Sequence, residues 1–457
     1  MGVVVKLFIV IITVLISWIG YKVNNIIKPP PLPRLEETWW GNGDPWRTDK
    51  SIRPFRVNIS DKILEDLNYR LDHARPFTPP LEGIQQQYGM NTKLLKEIAD
   101  FWRNKYNWKE REKFFNQYPH YLTSIQGLDI HFIHVKPKSI HHRVLPLLLL
   151  HGWPGSVREF YELIPLLTTP QKDRNFVFEV IIPSLPGYGF SQAAVRPGLG
   201  AAQMAVVFKN LMKRLGFEKY YIQGGDFGAI ILHHLAVLFP EVVLGFHSNM
   251  CAIYTPLSYM KTALGIIYPT WFTREDHTER VYPVTKILVD RLRETGYLHI
   301  QATKPDTIGV SLNDSPLGLA AYILEKFTTG TNISYQNHED GGLKNVYDYS
   351  DLLDNVMLYW VTGSMPTAMR LYSETFNLNH MSLGITRIPI QVPSGCIRFS
   401  NDFYSSDGIL NEIYPNLLHL TDHEGGHFAA FQLPKVFAAD IFTAVGKFEE
   451  FNANNKH

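Results

Sequence analysis

Residues 3–20 are almost wholly apolar, with Lys6 as the one charge among them. As a helix they would span about 27 Å, close to the thickness of a hydrocarbon core. Lys6 lies near the edge, where its stem can reach the headgroups. Tyr21-Lys22-Val23-Asn24-Asn25 offers no small-x-small cleavage site, so 1–22 reads as a retained transmembrane anchor rather than a removed leader. Lys22, Lys28 and Arg34 favour the cytoplasmic side for the body of the protein. The proline-rich stretch 28–33 cannot continue a helix and predicts a stiff, extended spacer.

From 35 to 142 aromatic pairs such as Trp39-Trp40 alternate with charged, helix-like text such as 92–108, without repeats or a catalytic motif. Residues 23–142 therefore read as an extension wrapping the body. The apolar run 145–150 then stops at His151-Gly152-Trp153-Pro154-Gly155, as a buried strand stops at a turn. A second run, 176–182, ends in Pro183-Ser184-Leu185-Pro186-Gly187-Tyr188-Gly189. A third, 220–223, enters Gly224-Gly225-Asp226-Phe227-Gly228 and a helical pattern over 229–239. Strands alternating with helices predict an α/β fold with a mostly parallel sheet covered on both faces. Over 249–381 the pattern turns helical and aromatic, clearest at 317–327, and predicts a helical cap. Strand-like runs return at 388–392 and 417–420, and 434–448 reads as a closing helix. The core thus has two parts, 143–248 and 382–457, with the cap between them.

A chain of 457 residues with 45% hydrophobic and 19% charged content buries a large core, which excludes disorder. Lys plus Arg number 44 against 43 Asp plus Glu, so no global field attracts nucleic acid. Cys251 and Cys396 make no disulfide framework, and the absence of Cys-x-x-Cys removes a zinc or redox motif; a cytosol-facing body is the simplest reading.

Gly224-Gly225-Asp226-Phe227-Gly228 has small residues two positions either side of an acid, between strand and helix. Such spacing lets the backbone turn sharply and lifts the central side chain into a cleft: a nucleophile elbow with carboxylate in place of hydroxyl. A plain turn would also use Gly-Asp, but the context argues otherwise. An α/β-hydrolase places nucleophile, acid and His in that order, and Asp226 is followed far downstream by carboxylates and by His427. The amides of Phe227 and Trp153 are placed to hold an oxyanion. Gly189-Phe190-Ser191-Gln192-Ala193 lacks a following helix and reads as a polar turn. His423-Glu424-Gly425-Gly426-His427 matches the zinc-protease string H-E-x-x-H, with Glu449 or Glu450 as a conceivable third ligand. Two consecutive glycines would cost the required helix about 1 kcal/mol each, and Thr421-Asp422 points to a loop.

The segments HGWPGS (151–156), PSLPGYGFS (183–191), GGDFG (224–228) and GGHFAAF (425–431) together resemble the microsomal epoxide hydrolases, a family that includes insect juvenile-hormone epoxide hydrolases. SIRPF (51–55), FTPPL (77–81), GLDIHFIH (127–134) and TKPDT (303–307) extend the resemblance over nearly the whole chain. It implies an α/β-hydrolase fold with Asp226 as nucleophile, His427 as base, and Tyr297 and Tyr372 as cap phenols that polarise the epoxide oxygen. Counting on from Val392-Pro393-Ser394-Gly395 puts Asp402 where mammalian relatives carry the charge-relay Glu, with Asp407 and Asp422 as rivals. Phe227 departs from the family's usual Trp; its amide donor is kept. The implied reaction takes a lipophilic epoxide to a vicinal diol through an aspartyl ester, without metal or organic cofactor, at the endoplasmic reticulum membrane.

His151 reads as structural or as a supporting donor, and His233 and His234, adjacent on a helix, as packing or surface residues. Asn58-Ile59-Ser60, Asn313-Asp314-Ser315 and Asn332-Ile333-Ser334 match glycosylation acceptors that a cytosolic body leaves unused. Two other functions fit the same residues. A haloalkane dehalogenase would need indole or amide donors around a halide instead of cap phenols. A membrane-tethered binder of apolar ligands would have no use for Asp226 and His427.

Overall fold

The computed structural model describes residues 2–43, 49–138 and 142–455. One mixed sheet organises the body. Its strands are β1 (Arg53–Phe55), β2 (His120–Ile125), β3 (Leu128–Val135), β4 (Arg143–Leu150), β5 (Phe176–Pro183), β6 (Tyr220–Gly224), β7 (Val243–Ser248), β8 (Ser394–Phe399) and β9 (Leu417–His423). They lie in the order β1-β2-β3-β5-β4-β6-β7-β8-β9. From β5 to β9 neighbours run parallel, whereas β1, β2 and β3 add an antiparallel edge. The α/β-hydrolase fold expected from the sequence is the one observed.

β4 lies mid-sheet, and Leu147 to Leu150 on it are buried on both faces, as a parallel sheet covered by helices requires. The helices Ala201–Arg214, Asp226–Leu238 and Pro434–Asn454 cover those faces, the last pressing Ile441, Phe442, Val445 and Phe448 into the core. Between β7 and β8 the chain is helical, from Pro256–Leu264 to Leu378–Met381, with Pro316–Thr331 and Tyr349–Thr362 the longest elements.

Three local expectations change. The run 388–392 is not a strand: Pro389 and Pro393 supply no N–H to a ladder, and β8 begins one residue after Pro393. Within 35–142 there is an unpredicted hairpin, with Gln126 and Gly127 at φ 50° and 84° joining β2 to β3. The two cysteines are also joined. β7 and β8 are neighbours, Ser248 pairs with Cys396, and the Cα atoms of Cys251 and Cys396 lie 6.1 Å apart across a disulfide. One bridge is no framework, but disulfides persist in oxidising compartments, so cysteine usage no longer argues for a cytosol-facing body.

Val3–Ile27 is a 25-residue helix, the one helix among the described residues long and apolar enough to cross a membrane. The proline stretch after it is extended and meets the body where Gly384 approaches Pro30.

Candidate active site

β6 delivers Asp226 to the first position of the Asp226–Leu238 helix with φ at +47°, a left-handed conformation that costs energy for any residue but glycine. The flanking glycines make the turn possible. A Cβ on Gly228 would stand 2.1 Å from the Leu150 carbonyl oxygen, and one on Gly224 would stand 2.6 Å from the Gly228 carbonyl carbon. Gly152 is equally constrained, since a Cβ there would lie 2.1 Å from Asp226 Oδ1.

The two Asp226 oxygens face different partners. Oδ1 accepts a 2.8 Å hydrogen bond from the Trp153 amide, and Oδ2 lies 3.5 Å from His427 Nε2. Phe227 stands in the first helical turn, where amides have no intrahelical acceptor, beside that carboxylate. The loop carrying Trp153 is tied to the Tyr349–Thr362 helix. Asn355 Nδ2 donates to the Pro154 carbonyl and Tyr359 Oη to the Gly155 carbonyl, both at 2.7 Å, while Ser156 Oγ donates to Asn355 Oδ1.

His427 sits on the loop after β9. Its Nδ1 is 2.9 Å from Asp402 Oδ1, and its own amide donates to the Gly330 carbonyl at 2.7 Å. Burial pulls its pKa down, but Asp402 and Asp226 outweigh that and hold it well above the usual histidine value. The rival acids are engaged elsewhere: Asp407 and Asp422 both pair with Arg398, at 2.5 and 2.8 Å. His423 ends β9, so the H-E-x-x-H string is strand and loop, and its imidazoles share no helical face.

Tyr297 and Tyr372 come from the helices Gly296–Thr303 and Met365–Thr375 and converge on Trp153. The Tyr297 ring stacks on Trp153 at 4.9 Å, and Tyr372 meets Trp153 edge-on at 5.9 Å. Burial first, then the Asp226 charge among other nearby groups, raises both phenols above their ordinary pKa, so both stay protonated donors at neutral pH. The buried Tyr372 hydroxyl has no hydrogen-bond partner among the described residues. A hollow beside Asp226 is lined by Gly152, Trp153, Glu159, Asp226, His427 and Phe428, and the two tyrosines reach it through Trp153 rather than lining it themselves. The structure thus brings all seven expected residues, Asp226, His427, Asp402, Tyr297, Tyr372, Trp153 and Phe227, to one place.

One residue of this hollow escaped the sequence reading. Glu159 lies three positions past the HGWPGS segment, on the short turn Val157–Phe160; its amide donates to the Ser156 carbonyl, while its carboxyl shows no hydrogen bond among the described residues. Burial pushes its pKa up to about 8, with His427 opposing the rise and the Asp226 charge adding to it. His151 is structural: Nε2 accepts from the Leu185 amide, and burial lowers its pKa to about 4.

Comparison with known proteins gives the family. A family described as "Epoxide hydrolase N terminus" matches residues 52–160, and one described as "alpha/beta hydrolase fold" matches 146–288. Juvenile hormone epoxide hydrolase 2 of Ctenocephalides felis is 52% identical, over 94% of this chain and 93% of its own. Epoxide hydrolase 1 of Oryctolagus cuniculus is 44% identical, over 92% and 95%. The crystal structure of the Bombyx mori juvenile hormone epoxide hydrolase superposes with a TM-score of 0.90 at 48% identity, covering 92% of this chain and 100% of that one. With its elbow carboxylate, its imidazole and relatives of this similarity along nearly its full length, the chain belongs to the epoxide hydrolases.

Proposed function

We propose that this epoxide hydrolase opens lipophilic epoxides, of juvenile-hormone or xenobiotic type, through a covalent ester on Asp226. Two observations suggest the substrate class: the aromatic cluster of Trp153, Tyr297 and Tyr372 beside Asp226, and the names of the relatives. The single observation that carries the mechanism is the division of labour at Asp226, with one oxygen held by an amide and the other facing the imidazole.

In the first step Asp226 Oδ2 attacks a ring carbon. The C–O bond on the opposite side breaks with its electron pair, and the departing oxygen takes a hydrogen bond and then a proton from Tyr372 or Tyr297. In the second step His427 Nε2 takes a proton from water, which adds to the Asp226 Cγ. The resulting oxyanion is Oδ1, already within reach of the Trp153 amide and near that of Phe227. Collapse expels the diol oxygen, which takes the proton held by His427; the second proton of the water passes from the Asp226 carboxyl to the tyrosinate, restoring carboxylate, imidazole and phenol. Asp402 orients the imidazole and supports its charge.

Single turnover in heavy-oxygen water, followed by peptide mass analysis, tests this sequence. The isotope should enter the Asp226 carboxylate; a labelled diol with unlabelled Asp226 would mean direct attack by water.

The Val3–Ile27 helix supports a single-pass anchor in the endoplasmic reticulum membrane. Basic residues after it favour a cytosolic body, whereas the Cys251–Cys396 bridge favours the lumen. Asn58 and Asn313 are exposed within acceptor triplets, so glycosidase treatment decides between the two. An unchanged mass supports the cytosolic side, and a loss of mass places the body in the lumen.

A further inference from the structure

We propose that the cap segment from the Pro256–Leu264 helix to Trp271 lies in the surface of the bilayer beside the anchor, as a second and non-spanning membrane contact. The inference rests on the anchor reading and deepens it. It begins with a polarity that is inside out. A helix on the surface of a water-soluble body turns its apolar stripe inward and its polar face outward. Here the inner side carries polar groups: Ser258 and Thr255 are buried, Thr255 Oγ1 donates to Glu412 at 2.6 Å, and Lys261 Nζ meets Glu412 at 2.9 Å. The outer side is apolar, with Tyr259, Leu264, Ile266, Ile267, Tyr268 and Trp271 from 48% to 76% exposed.

An exposed run of this kind marks an interaction surface, and its position says which. The Val3–Ile27 helix packs against the Pro256–Leu264 helix, and Val23 and Ile27 near its C-terminal end are half-buried. Arg387 clasps that end through the Ile26 and Lys28 carbonyls. If residues 3–22 occupy the hydrocarbon, the end that touches the body lies at the headgroups, where Trp18 with Lys22 near its ring forms an interfacial pair. The apolar run starts beside that end. Tyr268 and Trp271, with ring centroids 5.9 Å apart, supply the amphipathic aromatics typical of that depth. A lipid surface satisfies the whole outward face at once, and the anchor holds it within reach.

The test places single nitroxide labels on the full chain in phosphatidylcholine vesicles, at Ile267→Cys, Trp271→Cys and, within the anchor, Leu15→Cys; the native thiols are engaged with each other. Retained turnover of an epoxide certifies folding. At 267 and 271 dissolved oxygen should relax the label more than a water-soluble nickel chelate does, the reverse of an aqueous position. If both read as aqueous while Leu15→Cys reads as lipid, the inference is overturned and the anchor stands. If all three read as aqueous, the anchor reading fails with it. Shielding from both agents at 267 and 271 would mean a second copy of the chain covers the patch, which also overturns the inference.

Discussion

Phe227 and Tyr372 meet edge to face, ring centroids 4.6 Å apart, so the residue after the proposed nucleophile packs against a phenol expected to protonate the leaving oxygen. Removing the Tyr372 hydroxyl leaves its ring packed against Phe227 and Trp153. Tyr372→Phe should therefore fold normally and slow ester formation by about 10² or more, the usual scale for loss of a positioned proton donor. Tyr297→Phe together with Tyr372→Phe should abolish alkylation. Stopped-flow tryptophan fluorescence on mixing with an epoxide reads this directly, and a double variant that still alkylates would remove the phenols from the reaction.

In the proposed mechanism the second half-reaction depends on His427 losing its proton. In the resting enzyme two carboxylates hold its pKa up, but forming the ester removes the charge of Asp226 and leaves Asp402 as the main support. Ester breakdown should thus rise with pH along a limb displaced to lower pH than that of the resting imidazole. Asp402→Asn should displace it further down and slow the step, and His427→Gln should let the ester accumulate. Quenched-flow mass analysis of the Asp226 peptide measures each. Steady-state turnover unchanged in His427→Gln would exclude this imidazole as the base.

What the sequence made legible depended on whether a residue's partner is close along the chain. The elbow was legible because strand, glycines, acid and helix are contiguous, and the backbone alone imposes that order. The H-E-x-x-H string could be discounted from its glycines for the same reason. β8 was hidden because it buries polar Ser394 and Arg398 inside the sheet, where Asp407 and Asp422 satisfy the guanidinium, and no local pattern announces those partners. Cys251 and Cys396 stand 145 positions apart and meet only because β7 and β8 pair. Which acid faces His427 was not local either: Asp402 lies 2.9 Å from its Nδ1, whereas Arg398 takes Asp407 and Asp422.

The elbow also predicts where substitution is least tolerated. At Gly228 a methyl group would meet backbone, the Leu150 carbonyl oxygen at 2.1 Å, which no rotamer can relieve. At Gly296, one residue before Tyr297 on the cap, a methyl group meets nothing within 4 Å. Gly228→Ala should lose soluble expression or activity altogether, whereas Gly296→Ala should keep both. Thermal melts with turnover assays separate them, and an active, stable Gly228→Ala enzyme would refute the close-packed turn.

Glu159 adds a pH dependence of its own. In the unfolded chain its carboxyl ionises near 4.5; in the folded hollow burial and the Asp226 charge delay ionisation to about 8. The folded state therefore keeps a proton that the unfolded state has released. Its contribution to stability is fully present below 4.5 and is lost as pH rises to about 8, by at most about 1.4 kcal/mol per pH unit for one proton. Glu159→Gln removes that loss while resembling the neutral acid in shape and charge. Urea unfolding at pH 5 and pH 8 should show the variant gaining on the native chain as pH rises. The ester-forming rate, measured by the same fluorescence change, should also extend further into the alkaline range, because no second anion then forms beside Asp226. Parallel stability curves for the two proteins across that interval would mean that Glu159 is already ionised in the fold, and both expectations would fail together.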